Sequence, residues 1–410
     1  MYISLTQLHV QCPVKIFGLF IYLKYLTNLM RIALINDMIY PYTKGGIEVR
    51  NKQIAERLAK LGHEIHVFGA KLWDGDDFVR TGVNYHGVHY YKRVYDASGK
   101  RDALNPFIFA KKLPKALSEY EFDVIDCSSS TYFPALSCEK YCSRNNIPLV
   151  VSWNEVFGDY WDEYATNPMS ARVGKRYEKK VMNLKANVLA VSKFLKNRLV
   201  QFGVDGKKVT VISNGVDLKA ISQAKAGKKK FDLMFAGRLQ KLKNVDMFIE
   251  VVRILKKDHP KISAIICGEG PERARLNQLV LKYNLVRNIT FTGAVEQSKV
   301  YSYMKSSKML IMPSETEGFG IVAIEAAAAR LPVITINTLR NAVVDVVKDK
   351  KTGFVVAKDV LLLAKVSEIL LKNSKLRKKM GAEAYKLVKE NYTWDNVVKK
   401  IEKYYKKVSS

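Results

Sequence analysis

Two carboxylates, Glu317 and Glu325, bracket seven residues in the stretch PSETEGFGIVAIEAAAA at residues 313–329. Before it, MLIMP reads as a buried strand that ends at Pro313. After Gly318, Phe319 and Gly320 the run is apolar and Ala-rich, long enough for a helix. Glycines ahead of a helix let a ligand approach backbone N–H groups, and the helix N-terminus favours negative charge, which suits a phosphate. A carboxylate among such donors would repel phosphate unless it faces something else, such as sugar hydroxyls. The pattern points to a phosphorylated, hydroxyl-rich ligand. On this stretch alone, an acidic first turn and a solvated Glu fit equally well.

The rest of the chain must position these groups. At 410 residues, two domains are the natural expectation, and 48% hydrophobic residues supply two cores and argue against disorder. The net charge of +29 suits nucleic acid, an anionic membrane surface or phosphate-bearing substrates, although a generally Lys-rich surface would give the same number. The five cysteines have no paired spacing and read as buried, reduced thiols. The six histidines form no metal-binding cluster, so no metal site is expected.

Residues 1–29 read as a leader. The apolar run at 14–29 is interrupted by Lys15 and Lys24, lacks a small-residue cleavage site and is short for a membrane span. A membrane-surface segment and a mis-called start ahead of Met30 are the two readings, the second slightly favoured. From Met30 onward apolar runs alternate with helical stretches: RIALIN, EIHVFGA, DVIDCSS, PLVVSW, NVLAVS and TVISNGVD mark strands of a first half. Residues 218–230 lose apolar periodicity, turn basic and read as a linker. A second alternating half begins at FDLMFAGRL, and the final YTWDNVVKKIEKYYKK reads as a packing helix. The expected domains are therefore 30–217 on the acceptor side, 218–230 as linker, 231–390 for the nucleotide-sugar, and 391–410 packing back toward the first domain. Strand–helix–strand order implies α/β architecture, two doubly wound Rossmann-like domains facing a central cleft. The Gly-rich turns at Gly45-Gly46, Gly237-Arg238, Gly268-Glu269-Gly270 and Gly293 follow strands and should line that cleft. No G-x-G-x-x-G follows the first strand, which weighs against a nicotinamide or flavin enzyme.

With these turns assembled, the chain from about Met30 to Tyr405 resembles the retaining glycosyltransferase family 4, of GT-B fold. PYTKGGIEVR, AVSKFLKNRL, VISNGVD, FAGRLQKLKNVD, ICGEGPERARL, FTGAV and above all SETEGFGIVAIEA carry the resemblance by their order and spacing. It implies a hexosyltransferase-type enzyme that moves a sugar from a UDP- or GDP-sugar to a glycan or lipid-linked acceptor, with no cofactor and no metal. Arg238 and Lys243 match the family's phosphate-binding cations. Glu325 matches the carboxylate that accepts from the ribose hydroxyls, and Glu317 the one near the anomeric centre. The N–H groups of Gly318, Phe319 and Gly320 would contact the sugar or its phosphate, and Gly45 and Gly46 the diphosphate or acceptor. Asn214 and Gly215 match a turn whose role is structural.

One departure stands out. Where many relatives carry a His, this chain has Asp126-Cys127-Ser128 or Trp153-Asn154-Glu155. Asn154 could bond a donor sugar hydroxyl, and Glu155 or Asp126 could orient the acceptor. A nucleotide-sugar-binding protein with weak or no transferase activity is the alternative this departure leaves open. The expected setting is polysaccharide or glycolipid biosynthesis in the cytoplasm, peripheral at the inner membrane face. Residues 90–93 and 111–115 offer the basic and aromatic contacts for an anionic membrane surface. A nucleic-acid partner is not expected, because no reader motif is present.

Overall fold

The computed structural model describes residues 29–43, 45–91, 94, 104–165 and 167–410. The leader expected over residues 1–29 thus lies outside the described residues except for Leu29, as do Lys92 and Arg93. A first sheet has the order β3-β4-β2-β1-β5-β6-β7-β8. Its strands are β1 (Arg31–Ile35), β2 (Glu64–Lys71), β3 (Phe78–Arg80), β4 (Val83–Tyr90), β5 (Val124–Ser128), β6 (Leu149–Trp153), β7 (Asn187–Ala190) and β8 (Val209–Val211). All neighbours are parallel except β3 and β4. Parallel strands need crossovers and covered faces, which is why RIALIN and DVIDCSS are continuous apolar runs rather than alternating ones.

A second sheet, β11-β10-β9-β12-β14-β16, contains β9 (Phe231–Ala236), β10 (Ala264–Cys267), β11 (Ile289–Gly293), β12 (Ser307–Met312), β14 (Val333–Ile336) and β16 (Gly353–Val356). Two further short strands, β13 (Thr316–Glu317) and β15 (Arg340–Asn341), pair parallel to each other. In each sheet the strand order reverses direction beside the first strand: between β1 and β5, and between β9 and β12. Ligands of open α/β sheets bind at such points, outside the carboxyl ends of the strands. The two halves are two Rossmann-like α/β domains, and one apolar cluster runs from the first sheet (Ile35, Phe68, Trp153) into the second domain (Phe319, Ala323, Val343).

Three features depart from the sequence reading. The antiparallel β3–β4 hairpin adds an edge to the first sheet that no strand expectation covered. The expected linker at 218–230 opens with a helix, Leu218–Gln223, because Asp217 caps it by accepting from Ala220 N. Asp126, offered as an acceptor-orienting group, lies instead beneath the C-terminal helix: Tyr405 Oη donates to its Oδ2 at 2.5 Å and Ser152 Oγ at 3.0 Å. Burial pushes the Asp126 carboxyl up, against those two hydrogen bonds. The buried Arg50 beside it donates to the Ser213 and Ile212 carbonyls and to Asn214 Oδ1, so Asn214 holds a turn. Trp394 covers Gly215, where a Cβ would meet the indole ring at 2.6 Å.

The helices that frame the cleft are α1 (Gly46–Lys60), α2 (Leu104–Leu117), α3 (Phe133–Asn145), α4 (Pro168–Met182), α5 (Gln297–Lys305), α6 (Ile321–Ala328) and α7 (Trp394–Ser409). Helix α7 lies on α1 and β5, and its Val397, Val398, Ile401 and Tyr405 complete the apolar face under β1 and β2.

Candidate active site

Pro313 stops β12, and the chain then crosses the mouth of the second sheet through β13. Gly320 adopts φ 85°, a left-handed conformation costly for a side-chain-bearing residue, and a Cβ there would meet Val343 Cγ2 at 2.5 Å. This turn launches α6, and no side chain caps its first N–H groups. Phe319 is buried and its ring packs 5.8 Å from Tyr392, so only its backbone can meet a ligand.

A second loop, following β9, meets this one. Asn244 Nδ2 donates to the Pro313 carbonyl at 2.9 Å, and Glu315 N donates to the Leu242 carbonyl at 2.8 Å. These ties carry Lys243 to Glu317, with Nζ 2.7 Å from Oε1. Arg238 follows Gly237 at the end of β9 and is exposed at the same mouth. The two expected cations and Glu317 thus belong to loops at the carboxyl ends of β9 and β12, the reversal point of the second sheet.

Glu325 sits one turn inside α6 and is buried. Its Oε1 accepts from Gln297 Nε2 at 2.7 Å and Tyr301 Oη at 3.2 Å, both on α5. Burial pushes its carboxyl up to about 7, with the Tyr301 hydrogen bond working the other way. The folded state therefore holds this proton more tightly than the unfolded chain. The resulting stabilisation is full below the ordinary carboxylate range and lost as pH rises toward 7, on the order of 2–3 kcal/mol. Glu325→Gln should accordingly raise the unliganded Tm at pH 8 and leave it nearly unchanged at pH 3.5, below the unfolded value. Thermal melts of both proteins across that range check this, and a gap that is constant with pH would contradict it.

The first domain closes over these groups. Gly46, at the start of α1, would place a Cβ 3.3 Å from Ile321 Cδ1, so the Gly45-Gly46 turn abuts the head of α6. The loop after β6 comes closer still: a Cβ on Gly318 would stand 1.9 Å from the Asn154 carbonyl oxygen and 3.7 Å from Glu155 Cα. Ser192 Oγ donates to the Gly318 carbonyl at 2.9 Å, and Phe194 N donates to Asp345 Oδ2 at 2.7 Å. Glu155 is exposed in the cleft, within reach of the charges of Lys243 and Glu317 from the second domain and of Glu178 from its own. Crowding between the two domains pushes its carboxyl above the usual carboxylate range; Lys243 pulls it down, and Glu317 and Glu178 push it up. Glu155 therefore lies beside the Lys243–Glu317 pair and the Asn154 backbone against Gly318, whereas Asp126 is remote from both.

Several site residues were not singled out in the sequence. Gln297 and Tyr301, the donors to Glu325, lie in a helix that reads only as amphipathic. Glu178 is buried and accepts from Phe157 N at 2.8 Å, Gly158 N at 2.7 Å and Tyr132 Oη at 3.0 Å, which fixes the loop carrying Asn154 and Glu155. Phe157 and Trp161 stack at 5.0 Å, and the Arg340 guanidinium lies 5.0 Å from the Tyr160 ring. The aromatic run in FGDYWDEY was the available signal for this wall.

Residues 218–387 match the family Glycosyl transferases group 1, and residues 44–220 match Glycosyltransferase Family 4. The chain belongs to the GT4-type glycosyltransferases. The phosphatidylinositol N-acetylglucosaminyltransferase gpi3 subunit of Schizosaccharomyces pombe is 25% identical, over 92% of this chain and 80% of its own. Sucrose-phosphate synthase from Thermosynechococcus elongatus has a similar structure, with a TM-score of 0.79 at 20% identity, covering 92% of this chain and 98% of its own. The Anabaena protein HepE, solved in complex with UDP-glucose, follows at 0.71 and 17%, covering 92% and 99%. The fold of this glycosyltransferase is thus GT-B. Among its described residues, no helix is long and apolar enough to cross a membrane.

Proposed function

We propose that this glycosyltransferase moves a hexose from a UDP- or GDP-sugar to a glycan or lipid-linked acceptor, with retention at the anomeric carbon. The observation that carries the reading is the meeting of Lys243, Glu317 and the Gly318–Gly320 turn at one sheet mouth, with Asn154 and Glu155 across a narrow cleft. Departure of a nucleoside diphosphate builds negative charge on phosphate oxygens. Arg238 grips such oxygens through a planar fork and Lys243 adds a point charge, so the reaction runs without a metal or other cofactor. In the free protein Glu317 holds the Lys243 ammonium in place, and the diphosphate takes over that contact.

The N–H groups of Gly318, Phe319 and Gly320 face the sugar and its phosphate at the head of α6, and Gly45-Gly46 closes from the other side. The Glu325 carboxylate accepts from the ribose hydroxyls in place of Gln297 and Tyr301. On the reacting face the bond between the anomeric carbon and its phosphate oxygen breaks, with the electron pair leaving on that oxygen. The acceptor hydroxyl bonds to that carbon from the same side, and its proton passes to the departing phosphate oxygen. Asn154 and Glu155 orient the sugar and acceptor hydroxyls. This route asks for no histidine base. A lipid-linked acceptor places the enzyme peripherally at an anionic membrane surface.

A thermal-shift series with UDP- and GDP-sugars should find one donor that raises Tm by several degrees, because a ligand bound only by the closed cleft stabilises it. NMR of the product should then show the donor's anomeric configuration. Inversion would defeat the mechanism. Stabilisation without transfer to any glycan or lipid-linked acceptor would favour the binding-protein reading that the missing histidine raises.

A further inference from the structure

We propose that the outer face of α2 and α4, beside the acceptor mouth, is the surface that docks this enzyme on an anionic bilayer. This names the site of the membrane contact and rests on the lipid-linked acceptor reading above. On α4, Met169, Val173 and Tyr177 recur every fourth residue and share one side of the helix. Met169 is 67% exposed and Val173 45%; on α2, Leu104 is 61% exposed and Phe107 39%. Ring contacts join the two helices into one patch: Phe107 lies 5.6 Å from Phe133 at the head of α3, and Phe133 lies 4.9 Å from Tyr177. A contiguous apolar face of this kind on a water-exposed surface marks an interaction site.

Charge identifies the partner. Helix α2 carries Lys111, Lys112 and Lys115 with no acid, and α4 carries Arg172, Arg176, Lys179 and Lys180 besides Lys175, which is paired to Asp162 at 2.6 Å. The single acid on either helix, Glu178, is buried and turned to the cleft loop. Lys111 Nζ rests 4.6 Å from the Phe107 ring and Lys180 Nζ 5.1 Å from Tyr177, so charge and apolar tips stand at one level. Apolar tips inside a cationic rim match the boundary between acyl chains and anionic headgroups. A second copy meeting this face across a two-fold axis would set cations against cations. Nucleic acid would leave the aliphatic tips Leu104, Met169 and Val173 without partners.

The location links docking to the reaction. Helix α3 starts just past the carboxyl end of β5, so the patch borders the cleft. On the inner side of α4, Glu178 fixes the loop behind Asn154 and Glu155. A bilayer under this face would bring a headgroup-attached acceptor to the open side of the sugar site.

Vesicle co-sedimentation of the full chain tests this, with phosphatidylglycerol–phosphatidylcholine vesicles against pure phosphatidylcholine. Two variants decide it, because the leader is present in every sample: Met169→Ser with Val173→Ser, and Arg172→Gln with Arg176→Gln and Lys180→Gln. Wild type should bind the anionic vesicles with strong salt dependence. The charge variant should lose on the order of 100-fold in partitioning, at roughly fivefold per cation, and the apolar variant should also bind more weakly. Both should keep the wild-type thermal shift with the donor, which reads the sugar site alone. No vesicle binding by wild type, or undiminished binding by both variants, overturns the proposal. So does a dimer seen by light scattering that the variants dissolve. A missing donor shift in wild type would instead overturn the functional reading and leave the vesicle result standing.

Discussion

Lys243→Ala should lower kcat/KM for sugar transfer by about 10²–10³, the usual cost of removing one preorganised charge from a developing anion. Arg238→Ala should act similarly, and the double variant should lose less than the product of the two, since both serve one diphosphate. The loss should fall mainly in kcat, because leaving-group charge grows on the way to the transition state. Lys243→Ala also leaves Glu317, only 15% exposed at its side chain, without its 2.7 Å partner. Some loss of Tm is therefore expected alongside the kinetic effect. Measuring kcat and KM together with melts separates the two. Activity within threefold of wild type would remove Lys243 from the diphosphate site.

Gly318→Ala should cost at least about 10²-fold in transfer rate while each domain keeps its fold. The new methyl would stand 1.9 Å from the Asn154 carbonyl oxygen, a separation that no rotamer can relieve because the obstacle is backbone. Relief requires the loop after β6 to retreat from Gly318, carrying Asn154 and Glu155 with it. A displacement of about 1 Å at a reacting centre is enough for an effect of this size. The Ser192–Gly318 hydrogen bond spans the same contact and would weaken too. Circular dichroism should stay near wild type while steady-state kinetics collapse. Full activity with an intact fold would mean that the cleft works in a more open state.

The fold was legible because parallel strands covered on both faces are written as unbroken apolar runs, and each Gly-rich turn falls at a strand's carboxyl end. RIALIN, FDLMFA and MLIMP each became a central strand. The hairpin of β3 and β4 was not, since the edge strand FVR is only three residues long and VNYHGVHY mixes polar and aromatic residues instead of running apolar. The donor half of the site was legible for a similar reason. Arg238, Lys243, Glu317 and Glu325 sit at fixed offsets from strands and turns in one domain. The acceptor half was not, because it is assembled from separate crossovers. Asp126 illustrates this: sequence shows it two residues before the end of β5, but only tertiary contact shows Tyr405, 279 residues later, covering it. Glu178 lay unnoticed in a basic helix because a lone acid there reads as solvated surface, whereas its carboxylate is committed to two backbone N–H groups and a phenol.

The placement of α7 has a consequence for the order of events during synthesis. Helix α7, made after every strand of the second domain, supplies Val397, Ile401 and Tyr405 to the apolar face of the sheet made first. A nascent first domain therefore carries an uncovered strip along β1 and β5 and an Asp126 without its phenolic donor. At roughly 5–20 residues per second, some tens of seconds separate emergence of β8 from that of α7. Throughout that interval the second domain can form while the first waits. Emergence of α7, rather than completion of the second domain, is then the event that seals the acceptor side.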